Sequence, residues 1–303
     1  MKKINLFAVA IILLFATSCS NDIAPLETFG NVTLKLTDAP MHYNQFMEAN
    51  ITIDKIELGN AVDANSFIVI MSQTTTYNML DLVNGITETL TNMDIPEGQY
   101  DTLRLYISST EMVMNDGTSF TYDMGQSGSI GSGNMMGGGS MMFNDQKGSI
   151  DITLDHFMDI MANSQNDFLM DLDIDHSFNL QGVGFSGMGA NMMMSMTGFT
   201  FNPTMRFVNM LNAGTIQGTV HGTTENLANA TVTLMQNNTV YTTTHTDIDG
   251  NYSLIGIPVG DYTIKVEMDG YTMNSVGNEV NMGTLNMTAG LIMMVDFSMI
   301  LSN

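Results

Sequence analysis

Basic residues are scarce in this chain: 8 Lys and Arg stand against 31 Asp and Glu over 303 residues, a formal charge of −23. That balance excludes nucleic-acid binding, which needs clustered cations to neutralise phosphates, and it disfavours direct adsorption to anionic lipid. It suits the solubility of an exposed protein. Tryptophan is absent, which argues against a strong aromatic platform for sugars. Cysteine occurs once, at Cys19, so no disulfide forms within the chain and the core must hold by packing alone. After the first residues, no apolar run is long enough to span a bilayer as a helix. Hydrolase signatures are also missing: there is no Gly-x-Ser-x-Gly, no His-Glu-x-x-His and no second cysteine to act as nucleophile.

What is present begins with an export signal. Lys2 and Lys3 supply the positive start, Ile4 to Phe15 is apolar apart from Asn5, and the small residues Ala16-Thr17-Ser18 precede Cys19. The pattern resembles the bacterial lipobox, which implies acylation of Cys19 and attachment to a membrane through lipid; several acyl chains suffice for stable anchoring. Ser20, rather than an aspartate, follows the cysteine. By the same resemblance this favours the outer membrane and leaves open which face carries the protein. With Lys2 and Lys3 removed, six bases face 31 acids and the charge becomes −25.

The expected layout is a signal peptide over 1–18, a lipidated tether over 19–29, one domain over 30–210 and another over 211–303. The fold class is all-β, two β-sandwich domains, because the apolar residues mostly recur with period two. In the first domain Val32-Leu34-Leu36, Ile51-Ile53 and Phe168-Met170-Leu172-Ile174 alternate with polar neighbours. Tyr77 to Leu90 is the one stretch that could be helical, with Leu80, Val83 and Ile86 at loose helical spacing. Two glycine- and methionine-rich stretches, Gly125 to Met142 and Gly182 to Gly198, read as mobile loops. Asn209 to Gly214 is the expected linker. From Thr215 short strands and turns follow at even intervals, about seven strands in all, with Asp249-Gly250 as a hairpin turn. Ile95-Pro96-Glu97-Gly98-Gln99-Tyr100 is echoed by Ile257-Pro258-Val259-Gly260-Asp261-Tyr262. The echo reads as one turn device used by two sandwiches rather than as a tandem repeat.

Gly218-Thr219-Val220, Ala230-Thr231-Val232-Thr233-Leu234, Thr246 to Tyr252, Ile257 to Tyr262 and Gly270-Tyr271 together resemble the carboxypeptidase regulatory-like domain. The resemblance implies a transthyretin-like, Ig-like sandwich, also grouped with starch-binding-like folds. It also implies a non-catalytic accessory role in which carbohydrate or protein is bound. Leu36-Thr37-Asp38-Ala39-Pro40, Ile51 to Ile56, Leu80-Asp81-Leu82, Ile95 to Tyr100 with Leu103-Arg104-Leu105, and Pro203-Thr204-Met205-Arg206 resemble the bacterial lipoproteins of domain of unknown function 4382. That resemblance implies architecture and location, not chemistry.

Candidate sites are few. Asp171, Asp173 and Asp175 alternate, which would set three carboxylates on one strand face. A calcium ion would relieve their repulsion, although a solvated face is the plainer reading. Met135, Met136, Met141 and Met142 crowd one loop and Met192, Met193 and Met194 the other, and thioether sulfur suits Cu(I). Methionine is common throughout the chain, however, and elsewhere it fills cores. Asp247-Ile248-Asp249-Gly250 resembles half a calcium loop, but Pro258 stands where the distal glutamate belongs, so the aspartates read as turn residues. Gly182-Val183-Gly184-Phe185-Ser186-Gly187 fits a dinucleotide fingerprint without the strand–helix context it needs. His42, His156, His176, His221 and His245 lack zinc spacing. Tyr241, Tyr252, Tyr262 and Tyr271 could stack on sugars or could pack inside. The leading expectation is a non-catalytic envelope lipoprotein that binds a glycan or an envelope protein partner and uses no cofactor. The alternative is a copper-binding lipoprotein.

Overall fold

The structure is a computed structural model and describes residues 27–39, 45–124, 134–135, 140–144, 148–186, 193–273 and 284–302. Within these residues the chain is nearly all strand and forms two β-sandwiches.

In the first, β1 (Phe29–Thr37), β2 (Phe46–Asn60), β3 (Phe67–Met71), β4 (Thr75–Asn78), β5 (Glu88–Pro96) and β6 (Gly98–Met114) come early in the chain. β7 (Ser119–Asp123), β8 (Asn134–Met135), β9 (Ser140–Asn144), β10 (Ser149–Ile160) and β11 (Gln165–Leu172) follow. One sheet has the order β5-β1-β11, extended by β16 (Thr204–Asn209) and β8; the facing sheet runs β3-β2-β6-β10-β9, with β4 and β7 added at β2 and β6. The small pairs β12 (Phe178–Gln181) with β15 (Gly198–Phe201), and β13 (Gly184–Ser186) with β14 (Met193–Ser195), complete the domain. Alternation sorts the side chains: Val32, Leu34 and Leu36 from one sheet meet Ile51, Ile53, Leu103, Leu105, Ile150 and Ile152 from the other, all almost fully buried.

The stretch from Tyr77 to Leu90 is not helical. It divides among the end of β4, a single 3-10 turn at Met79–Asp81 capped by the Asn78 side chain, a bend through Asn84 (φ 59) and Gly85 (φ 78), and the start of β5. Burying Met79 and Leu82 beneath the sheets decides this locally weak preference.

The linker is shorter than expected. Asn209 ends β16 and caps a three-residue 3-10 turn, Met210–Asn212, and β17 (Ala213–His221) begins at once. β18 (Thr231–Gln236), β19 (Thr239–His245), β20 (Asn251–Pro258), β21 (Gly260–Glu267), β22 (Tyr271–Met273), β23 (Leu285–Met287), β24 (Ile292–Met294) and β25 (Phe297–Leu301) complete the second sandwich. Its sheets run β20-β17-β25-β22, with β24 on β17, and β19-β18-β21-β23. The second sandwich thus has nine strands among the described residues where about seven are expected, because the chain's end divides into β24 and β25 and short β22 is added.

The two sandwiches share more than a turn. In each, the first strand (β1 or β17) pairs antiparallel with the strand ending in Ile-Pro (β5 or β20) and parallel with a late strand (β11 or β24). The second strand (β2 or β18) pairs with the strand after that corner (β6 or β21), which in turn pairs with β10 or β23. At the corner the Tyr100 hydroxyl donates to the Pro96 carbonyl at 2.9 Å and the Tyr262 hydroxyl to the Pro258 carbonyl at 3.1 Å. Flanking bonds repeat too: Asn163 N to Phe29 O matches Gly290 N to Ala213 O, and Asn31 N to Ser164 O matches Thr215 N to Leu291 O. The echo in sequence therefore marks equivalent places in a shared strand order.

Candidate functional site at the domain joint

Strand β11 is covered on both faces. Phe168, Met170 and Leu172 enter the first core, while Leu169 on the other face joins Val208, Ala213, Met210 and Ile255 in a small apolar cluster between the sandwiches. Asp171 shares that second face and lies directly opposite Arg206 of β16. The two are 6% and 4% exposed, and Arg206 Nη2 and Nε both donate to Asp171 Oδ2, at 2.5 and 3.1 Å. Arg206 then reaches across: Nη1 donates to Gly256 O at 3.2 Å, Nη2 to Ile255 O at 3.5 Å, and the guanidinium lies 4.8 Å from the Tyr241 ring centre. Burial works against its charge, but Asp171 and Tyr241 outweigh that and hold the guanidinium protonated.

Asn84 makes the second bridge. Its positive φ turns the side chain toward β20, where Oδ1 accepts from Ser253 N at 2.6 Å and Nδ2 donates to Asn251 O at 3.3 Å. Neighbouring Gly85 has no room for a Cβ, which would stand 2.7 Å from Ser253 Oγ.

Asp38, just after β1, is wholly interior. Its amide donates to Leu82 O and its Oδ1 accepts from Ile174 N at 3.0 Å, which ties the strand end to a one-turn helix, α1 (Ile174–Ser177). Burial pushes the Asp38 carboxyl well above the usual carboxylate range, and the charges of Asp171 and Asp173 push the same way against the amides of Ile174 and Ala39. Two carboxylate oxygens here, Asp38 Oδ2 and Asp171 Oδ1, are buried without a hydrogen-bond partner.

The three alternating aspartates are thus neither one strand face nor a solvated one. β11 ends at Leu172, Asp173 caps α1 by accepting from His176 N at 3.0 Å, and Asp175 lies within that helix. The second domain covers the face that period-two alternation marks as polar. Among the described residues, no three His, Cys, Asp or Glu side chains converge closely enough to hold a metal ion.

Of the aromatic candidates, Tyr252 and Tyr262 are interior and Tyr241 and Tyr271 are half-buried. Tyr252 and Tyr262 are 2% and 1% exposed and donate to the carbonyls of Val295 and Pro258, so neither ring can stack on a sugar; burial pushes the Tyr262 hydroxyl up to about 12. Tyr241 packs edge-on against Tyr262 beneath Arg206, and Tyr271 packs on the second core. Two further rings of the first domain lie under cations, Tyr106 under Lys55 and Phe67 under Arg104. Asp247 spends its Oδ1 on the amides of Asp249 and Asn251 in its own turn. His221 contacts Asn226 and His245 contacts Thr231. Cys19, His42, Met136 and Met192 lie outside the described residues. Met135 lies in β8, Met141 and Met142 in β9, and Met193 and Met194 in β14, where Met194 is buried. The glycine- and methionine-rich stretches thus contribute short strands.

In the sequence Asp38 and Arg206 stand out only through the family resemblance, and nothing local marks Asn84. One signal was available. In a chain so poor in cations, an arginine between Met205 and Phe207 is placed for a buried partner.

Residues 29–186 match the model of a family described as Domain of unknown function (DUF4382), and residues 215–291 match the Carboxypeptidase regulatory-like domain. No curated protein matches the chain. Solved structures with some likeness include GBS52, the minor pilin of Streptococcus agalactiae, at 8% identity and TM-score 0.24 over 89% of this chain and 96% of that one. Shaft pilin spaA of Lactobacillus rhamnosus GG gives 11% and 0.24 over 91% and 99%. BcpA, the major pilin subunit of Bacillus cereus, gives 9% and 0.21 over 89% and 99%.

Proposed function

We propose that this chain, which belongs to the DUF4382 family and carries a carboxypeptidase regulatory-like domain, is a non-catalytic outer-membrane lipoprotein. In this reading acylated Cys19 anchors it, and its two sandwiches act as one rigid unit that displays a binding surface to a protein partner.

The observation that carries the reading is the joint. Arg206, Asn84 and the apolar cluster around Leu169 fasten the domains across a three-residue connection. Asp38 and Asp173, whose carboxyls burial pushes up, accept from the amides of Ile174 and His176 within the first domain rather than standing on an open surface. A protein partner is favoured over a glycan because Tyr252 and Tyr262 are interior, whereas Ile292 and Met294 project from one face of β24 at 63% and 61% exposure. The charge excess keeps such a tethered molecule soluble.

Metabolic labelling with alkyne-palmitate tests the anchor: the label should be incorporated and should vanish in Cys19→Ser. A photo-crosslinker at Met294 in living cells should give one discrete adduct, absent when the probe is at the exposed Val62. A glycan array that lights up while no adduct forms would replace the protein partner with a sugar.

A further inference from the structure

The joint contains a small cleft of about 20 Å³, lined from the first domain by Thr37, Asp38, Asn84, Asp171 and Arg206 and from the second by Thr242 to Thr244 and Ser253 to Ile255. Its chemistry is hard oxygen: two carboxylates, several hydroxyls and an amide. Asp38 has Oδ1 on Ile174 N and Oδ2 on nothing; Asp171 has Oδ2 on Arg206 and Oδ1 on nothing. Asp173 borders this group but spends its oxygens on His176 and does not line the cleft. Three buried carboxylates against the single Arg206 guanidinium leave a formal excess of two negative charges. Unrelieved charge of that kind is costly, and both orphaned oxygens belong to groups that line one space.

We propose that a divalent, oxygen-seeking cation of the calcium class binds in this cleft, bridging Asp38 Oδ2 and Asp171 Oδ1 and clamping the second domain to the first. Threonine hydroxyls of the second domain, with water admitted from the open side, supply the neutral oxygens that such an ion takes beside carboxylates. Two carboxylates and an adjacent guanidinium make a weak site, with an affinity on the order of 0.1–1 mM, as in extracellular modules. The clamp depends only on the joint and not on what the protein binds elsewhere. The rival occupant is a proton on Asp38, which relieves one charge instead of two.

The full chain in detergent, stripped with EDTA, would be titrated with calcium chloride by isothermal calorimetry and its melting followed by circular dichroism. Wild type should take up one equivalent in the joint, and 5 mM calcium should raise the midpoint by about 3 °C over EDTA. Asp38→Asn keeps the Oδ1 acceptor for Ile174. It should fold, melt higher than wild type in EDTA, and lose the calcium response; Asp63→Asn, on an exposed turn, should behave as wild type. Calcium uptake that is identical in wild type and Asp38→Asn overturns the proposal. So does a wild type that binds none at 5 mM while its midpoint climbs as pH falls, which would make the proton the occupant. Loss of the palmitate label or of the Met294 adduct would leave this result untouched.

Discussion

The two sandwiches are built on one strand order and one tyrosine corner, yet they treat buried polarity differently. Among the described residues, the second domain buries only threonines as polar side chains: Thr233, Thr242, Thr244 and Thr246. The first buries Asp38, Glu57, Asp171, Asp173 and Arg206 besides. The shared frame needs none of these charges, since the second domain stands without them on Ile216, Val232, Leu234, Ile264 and their neighbours. Asp38, Asp171 and Arg206 sit where the first domain must hold the second. These three buried charges serve the joint, while Glu57 pairs with Lys55 and Tyr106 inside the first domain.

The most severe way to break that contrast is Arg206→Met. It leaves Asp171 buried with no partner and removes the bonds to Gly256 and Ile255. A loss of about 3–5 kcal/mol is expected, with urea unfolding splitting from one transition into two as the domains uncouple. An unchanged single transition would mean that Arg206 does not join the domains.

Next comes Gly256→Ala. Gly256 has φ +64, and a Cβ there would stand 2.6 Å from Leu169 Cδ2 across the joint. Strain and clash together should cost about 2 kcal/mol, read from the denaturation midpoint of the second domain.

The common frame is sharpened by the matched pair Tyr100→Phe and Tyr262→Phe. Each removes one hydroxyl donated to a proline carbonyl from a ring that is 1% exposed. Each should cost about 1 kcal/mol; a difference above about 1 kcal/mol between them would show that the corners are not equivalent. The smallest effect is expected from Gly290→Asn, which copies Asn163 of the first domain. Their φ values are 71 and 58, the amides donate to equivalent carbonyls, and a Cβ at Gly290 meets nothing. A change of about 0.5 kcal/mol or less should appear in thermal melts.

Much of the frame was legible. Period-two alternation located β1, β2, β11 and most of the second domain, and Ile-Pro-x-Gly-x-Tyr located both corners. Three features were not. Tyr77 to Leu90 carries a weak helical spacing that burial of Met79 and Leu82 overrides. Asp171 reads as solvent-facing because alternation separates two faces of a strand without saying what covers either. Asp38, Asn84 and Arg206 come together only when segments up to 168 residues apart are packed, and no local pattern encodes such a meeting.

By itself, then, the amino-acid order determined the strand class, the two-sandwich division and the repeated corner. Each of these follows from local alternation, from proline's fixed φ and from glycine's freedom, properties read over a few neighbouring residues. Tertiary structure alone decided that β11 is walled on both sides, that the acidic face became a joint, and that two carboxylate oxygens were buried there without a hydrogen-bond partner. Burial is a property of what packs against a residue, and here the packing partner lies in another domain.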